Sequence, residues 1–252
     1  MEEGKATFFR SGDRASQDEA SVPGDRGAAR SKRRVLVELA VSYALILIVI
    51  WTPRPWQTIL WWVAAACVVV CTCISWDGLA AMGLRSTNFF RSLWVAGAAL
   101  LLAGGAVVAA GQLHTLRLPA TPLQFAKTYW AYAVWACVQQ FLLQCFFLLR
   151  FMRLLPGARS AAVAAAMIFA VAHLPSPILT AVTLLWGLAA CFLFLRYRNL
   201  FPLALAHAIL GITVAITIPG PLDHNMRVGL GYLRYREHAH RAPYVAPPTR
   251  PQ

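Results

Sequence analysis

The chain has 252 residues, of which 59% are hydrophobic and only 13% are charged, and its mean hydropathy is +0.57. These values lie outside the range of soluble domains, so the composition excludes a water-soluble globule. The 23 Lys and Arg residues outnumber the 10 Asp and Glu residues, which gives a formal net charge of +13.

The first 34 residues are polar and mixed in charge, which predicts a disordered tail over residues 1–34. The first apolar run begins only at Val35 and is followed by no small-residue cleavage site, so we expect a retained membrane span. A hydrocarbon core of roughly 30 Å needs about 20 helical residues. Runs of this length or slightly shorter occur seven times: Val35–Trp51, Trp56–Trp76, Leu93–Gly111, Tyr129–Leu149, Ala161–His173, Ile178–Leu195 and Phe201–Ile218.

These runs predict an all-α fold, a polytopic transmembrane helical bundle of about seven or eight spans over residues 35–220. The fifth run is short and ends at Pro175 and Pro177, so we expect protein rather than lipid to shield it. Residues 221–252 form a basic, Pro-rich tail. Two possibilities stay open for the topology of this tail. Either a weak element at Val228–Tyr235 re-enters the membrane interface, or the number of spans differs by one from seven.

Cations are distributed unevenly between the two sides of this predicted bundle. The side that holds the N-terminus carries 11 of them in and next to its loops, and the opposite loops carry 3. By the positive-inside rule we expect an integral protein of a bacterial cytoplasmic membrane, with its N-terminus cytoplasmic and lipid as its surroundings. The cations are scattered singly, so we expect no nucleic-acid partner. The oligomeric state stays open.

Five hydrogen-bonding side chains fall inside the apolar runs, namely Gln139, Gln140, Gln144, His173 and His207. Any one of these side chains can be explained as a group that forms a hydrogen bond between two helices. Three glutamines within six residues, together with two histidines on later helices, favour one internal polar cavity.

The order of these residues resembles the motifs of the CPBP family of intramembrane peptidases, which includes type II CAAX prenyl endopeptidases and bacteriocin-processing or self-immunity proteins. The family's Phe-x-x-x-His motif is present as Phe169 to His173, and His207 begins a third motif that ends in Gly211 instead of Asn or Asp. The family's Glu-Glu-x-x-x-Arg motif is matched in register by Gln139-Gln140-x-x-x-Gln144. The resemblance covers roughly residues 78–218.

The resemblance implies that a glutamate activates water and that histidines orient it and bind the oxyanion. Here Gln139 and Gln140 stand in place of the glutamates, and an amide cannot hold the proton. The motif's Arg is also replaced, by Gln144, so no unpaired buried cation is left behind. The predicted catalytic residues are therefore Gln139, Gln140, His173 and His207, with Gln144 and Phe169 in support.

Three functions remain open from the sequence. The first is an endopeptidase for a membrane-associated or lipidated peptide, in which His173 or His207 is the base. The second is a pseudoprotease that binds a membrane peptide or a partner protein, and the third is a small-solute transporter. We expect no cofactor; a metal held by His173 and His207 is conceivable but less favoured, because no carboxylate or thiolate of the core completes its shell.

Overall fold

The structure is a computed structural model that describes residues 23–241, with side chains for 31–235. The described residues form helices and no strand. The helices are α1 (Pro23–Trp51), α2 (Trp56–Ile74), α3 (Phe89–Ser92), α4 (Trp94–Gln112), α5 (Pro122–Gln140), α6 (Leu149–Leu154), α7 (Ala158–Val171), α8 (Pro177–Tyr197), α9 (Phe201–Thr217), α10 (Gly220–Asp223) and α11 (Gly229–Arg241).

Within the described part of the chain, five helical segments are long and apolar enough to cross a membrane: Ser31–Trp51, Trp56–Ile74, Phe89–Gln112, Pro122–Leu154 and Pro177–Tyr197. Helices α7 and α9 are apolar but shorter. The prediction of an all-α, polytopic membrane bundle is confirmed.

Helix α7 is shielded by protein on one face only. Its buried face consists of alanines, which lets α8 approach so closely that a β-carbon at Gly187 would lie 3.3 Å from the Ala166 β-carbon. Val163 and Met167, on its other side, are exposed. The short fifth element is therefore protected from lipid by its alanine face and not all round.

Both ends of the predicted bundle extend further as helix than the hydropathy indicated. Helix α1 begins at Pro23, inside the predicted tail, because the Ala, Arg and Lys residues before Val35 are good helix formers; residues 1–22 lie outside the described residues. Helix α11 contains most of the weak element predicted at Val228–Tyr235, and Gly229 at its start packs against Ile50 near the end of α1. Residues 242–252 also lie outside the described part.

The fourth predicted span is one continuous helix whose middle has π-helical geometry. Helix α5 ends at Gln140, a π-helical segment follows over Phe141–Leu148, and α6 completes the span. A π-helix has a wider turn than an α-helix and occurs often at functional sites. Gln140, the last residue of α5, and Gln144, inside the π-helical segment, are about one turn apart and lie on one face.

A buried ion pair joins α1 to α6 near the N-terminal end of the bundle. Arg150 is 1% exposed, and its guanidinium donates to Glu38, which also accepts from Ser75 and from Arg34. The remaining Arg150 donors bind the Phe146 and Cys71 carbonyl oxygens. Arg150 is one of the 11 cations that the sequence places in or next to the loops on the N-terminal side, but it lies inside the bundle, because Glu38 provides its counter-charge there.

This pair makes a prediction about stability. Glu38→Gln leaves the buried Arg150 cation without an anion, and we expect it to lower the free energy of unfolding by about 3–5 kcal/mol. Asp77→Asn is the matched control, because it removes a more exposed pair with Arg153 and should cost no more than about 1 kcal/mol. Adding Arg150→Met to Glu38→Gln should restore much of the loss. Thermal unfolding in detergent micelles measures all three variants. Equal effects of Glu38→Gln and Asp77→Asn would contradict the assignment of Glu38 and Arg150 as a buried ion pair.

Candidate active site

A cavity of about 690 Å³ lies among α1, α2, α5, the π-helical segment, α7, α8 and α9. Its walls are mainly aliphatic and aromatic, and α2 and α5 supply two long stretches of them, from Trp61 to Val69 and from Thr128 to Gln139. Helix α1 contributes residues from its C-terminal part, and Asn225 to Val228 border the cavity beyond α9. The cavity therefore reaches from the middle of the bundle towards the end at which α1 finishes and α5 begins.

Gln140 and His207 form a direct hydrogen bond within this region. Gln140 Nε2 lies 3.0 Å from His207 Nδ1, and Gln144 Nε2 donates to Gln140 Oε1 over 3.3 Å. Gln140 and Gln144 are fully buried, and His207 is 6% exposed. The end of α5 and the π-helical segment thus present a chain of two amides that ends on the imidazole of α9.

The orientation of the Gln140 amide matches one tautomer of His207. With Gln140 Nε2 as the donor, His207 Nδ1 is the acceptor. We therefore assign His207 the neutral tautomer with its proton on Nε2. Because His207 also lines the cavity, it brings an N–H donor to the site.

His173 has the opposite arrangement. Its Nδ1 lies 2.7 Å from the Phe169 carbonyl oxygen, which can only accept, so Nδ1 carries the proton. In the neutral ring, Nε2 is then the unprotonated nitrogen and can accept a proton. The Phe169 ring contacts both imidazoles edge-on, with centroid distances of 4.9 Å to His173 and 6.0 Å to His207.

The other predicted residues occupy different positions relative to the cavity. Gln139 lines it, whereas Gln140 and Gln144 lie behind His207 and are not part of the wall. The Gln140 amide, at a position predicted to be catalytic, contacts His207. Gln144 Oε1 is buried without a hydrogen-bond partner among the described residues.

Two tyrosines of the cavity wall were missed from the sequence. Tyr43 donates to the Ile168 carbonyl oxygen over 2.8 Å, and the Tyr132 ring lies against Gly211. A signal for Tyr132 existed, since it precedes Gln139 by two helical turns and so shares its face. The sequence contained no such signal for Tyr43, because no residue pattern in the run Val35–Trp51 indicates which face of this helix contacts α7.

Two cysteines of the fourth span, Cys137 and Cys145, flank the glutamines. Cys137 is exposed, and buried Cys145 donates its thiol to the Met82 carbonyl oxygen, away from both histidines. No group of three or more His, Cys, Asp and Glu side chains that could hold a metal ion occurs within the described ranges.

Comparison with known proteins finds one family model that is similar to this part of the chain. Residues 121–213 match the model of the family described as Type II CAAX prenyl endopeptidase Rce1-like. The matched segment runs from the start of α5 into α9 and includes all six of the predicted site residues. No curated protein and no solved structure matches the chain.

Proposed function

Because residues 121–213 match the model of the Type II CAAX prenyl endopeptidase Rce1-like family, we propose that this integral membrane protein is an intramembrane endopeptidase that cleaves a membrane-associated or lipidated peptide. One observation carries the proposal: two imidazoles whose available nitrogens differ, one a base and one a donor, line the same cavity. Water attack on a carbonyl needs both kinds of group.

The substrate class follows from the cavity walls. A cavity of about 690 Å³ with apolar walls and few polar groups suits an extended apolar peptide segment or a lipid-modified residue. Such a substrate already lies in the membrane, so entry does not require transfer of apolar groups through water. Trp61 and Trp135, on α2 and α5, provide large apolar surface for it.

The proposed reaction divides the roles between the histidines. His173 Nε2 takes a proton from water while the water oxygen attacks the substrate carbonyl carbon. The carbonyl electron pair moves to oxygen, where the His207 Nε2–H donates to the resulting oxyanion. Collapse breaks the C–N bond, and the proton held on His173 passes to the leaving amine, so the site returns to its starting state.

The glutamines act around this pair without exchanging protons. Gln139 lines the cavity and can bind the attacking water or the substrate backbone through either end of its amide. Gln140 keeps His207 in the tautomer that donates, as a second partner does for catalytic histidines in general. Gln144 in turn holds Gln140.

A second candidate is a relative that binds such peptides without cutting them. The observation that favours it is that, of the described residues lining the cavity, none is Asp or Glu. Without a carboxylate, proton transfer depends on His173 alone. The cavity would still bind an apolar segment.

The two candidates are separated by a cleavage assay in liposomes. The probes are a farnesylated peptide that ends in a CAAX sequence and an unlipidated membrane-spanning peptide, and mass spectrometry detects new termini. We expect the wild-type protein to cleave at least one probe, and His173→Ala and His207→Ala each to reduce the rate by about 10²-fold or more. His114→Asn is the matched control, since His114 is exposed in the loop between α4 and α5 and Asn tolerates its positive φ.

Loss of cleavage in either histidine variant at unchanged expression would exclude the non-cleaving candidate. Absence of product from the wild type, with product from a triple variant carrying Gln139→Glu, Gln140→Glu and Gln144→Arg, would exclude the peptidase.

We also propose that the N-terminus faces the cytoplasm of a bacterial cell, so that the cavity opens towards the outer half of the membrane. At the end where α1 begins, the loops and helix ends carry six cations in addition to buried Arg150: Arg85, Arg91, Arg153, Arg159, Arg196 and Arg198. In a variant without the exposed Cys73 and Cys137, a membrane-impermeant maleimide added to intact cells should label His114→Cys and not Ser86→Cys. The reverse labelling would contradict this orientation.

A further inference from the structure

Helix α9 leaves space for a tyrosine next to His207. Gly211 is buried one turn after His207, and a β-carbon built on it would overlap the Tyr132 hydroxyl and lie 2.7 Å from the ring carbon Cε1. The Tyr132 ring therefore lies directly on the α9 backbone, in space that a side chain at position 211 would take. Along the helix axis, Gly211 and His207 are separated by about 6 Å.

The hydroxyl of Tyr132 differs from that of the other cavity tyrosine. Tyr43 donates to the Ile168 carbonyl oxygen, so its hydroxyl hydrogen is occupied. Within the described residues the Tyr132 hydroxyl has no hydrogen-bond partner, and Tyr132 lines the cavity. A phenol in an apolar cavity usually has a partner, and the cavity itself is where a partner for this one can lie.

We propose that Tyr132 is a catalytic residue, whose hydroxyl donates a hydrogen bond to the substrate carbonyl oxygen beside the donor of His207. Gly211 serves this function by letting the phenol ring reach that position. The inference rests on the proposed function, because it assumes that a peptide carbonyl occupies the cavity.

The chemistry of this role requires no proton transfer. The Tyr132 O–H bond stays intact throughout; its hydrogen bond shortens as negative charge develops on the carbonyl oxygen and lengthens when the C–N bond breaks. A donor that acts mainly on the developing charge lowers the barrier more than it strengthens substrate binding. Loss of one such donor reduces kcat by about 10²–10³-fold.

The direct test uses a probe that cannot be cleaved. Membrane-spanning peptides carry a ¹³C-labelled ketomethylene group, –CO–CH₂–, at successive positions in place of one peptide bond, and infrared spectroscopy reports the ketone stretch when they are bound. Hydrogen bonds lower this frequency. We expect a lowered frequency with the wild-type protein, a partial return towards the free value with Tyr132→Phe, and a similar partial return with Gly211→Ala, which displaces the ring but keeps the hydroxyl.

Tyr43→Phe is the matched control, because it removes a hydroxyl from the same cavity that already has a partner. It should leave the ketone frequency unchanged. If Tyr132→Phe binds the probe and leaves the frequency at the wild-type value, the inference is overturned while the proposed function stands. Thermal unfolding checks that the wild type and each variant are folded. If the folded wild type binds no probe, the proposed function fails and the inference fails with it.

Turnover gives an independent measurement on any probe that the wild type cleaves. Tyr132→Phe should lower kcat by about 10²-fold and change KM little, because the hydrogen bond is strongest in the transition state. A rise in KM at unchanged kcat would overturn the role in catalysis and leave only a role in binding.

Discussion

The hydrogen bond between Gln140 and His207 is the interaction on which the rest of the site depends. In a bilayer a buried polar group must find its partner within the protein, because no water is available to replace one. The bond joins Gln140, at the end of α5 in the fourth span, to α9 and favours one imidazole tautomer without any charge. The proposed role of His207 as donor follows from that bond, whereas the proposed role of His173 as base follows from its own hydrogen bond to the Phe169 carbonyl oxygen.

The buried ion pair of the bundle lies outside this site. The buried carboxylate and guanidinium of Glu38 and Arg150 lie between α1 and α6, where Ser75 and two carbonyl oxygens complete their hydrogen bonds. The residues at the centre are amides and imidazoles instead. The scarcity of acidic residues in the sequence therefore has a structural counterpart: the ion pair stabilises one end of the bundle, and the cavity is built from neutral groups.

The sequence alone predicted the helical membrane bundle and the convergence of the fourth, fifth and seventh runs, because apolar length and isolated polar residues are strong local signals. It did not predict that Arg150 is buried, since its partner Glu38 is more than a hundred positions away in a different run. Nor did it show that Gln140 binds His207 rather than water, because the two residues are 67 positions apart in different runs. The importance of Gly211 likewise emerged only when Tyr132 was found against it.

The site requires that His173 and His207 carry their protons on different ring nitrogens. ¹⁵N NMR of the imidazole nitrogens in lipid bilayers measures this directly. Protonated and unprotonated ring nitrogens resonate in separate ranges, and His173→Gln and His207→Gln variants assign the signals. We expect His207 to be protonated at Nε2 and His173 at Nδ1, with the His207 pattern lost in Gln140→Leu. Protonation of His207 at Nδ1, or a His207 signal unaffected by Gln140→Leu, would contradict the account.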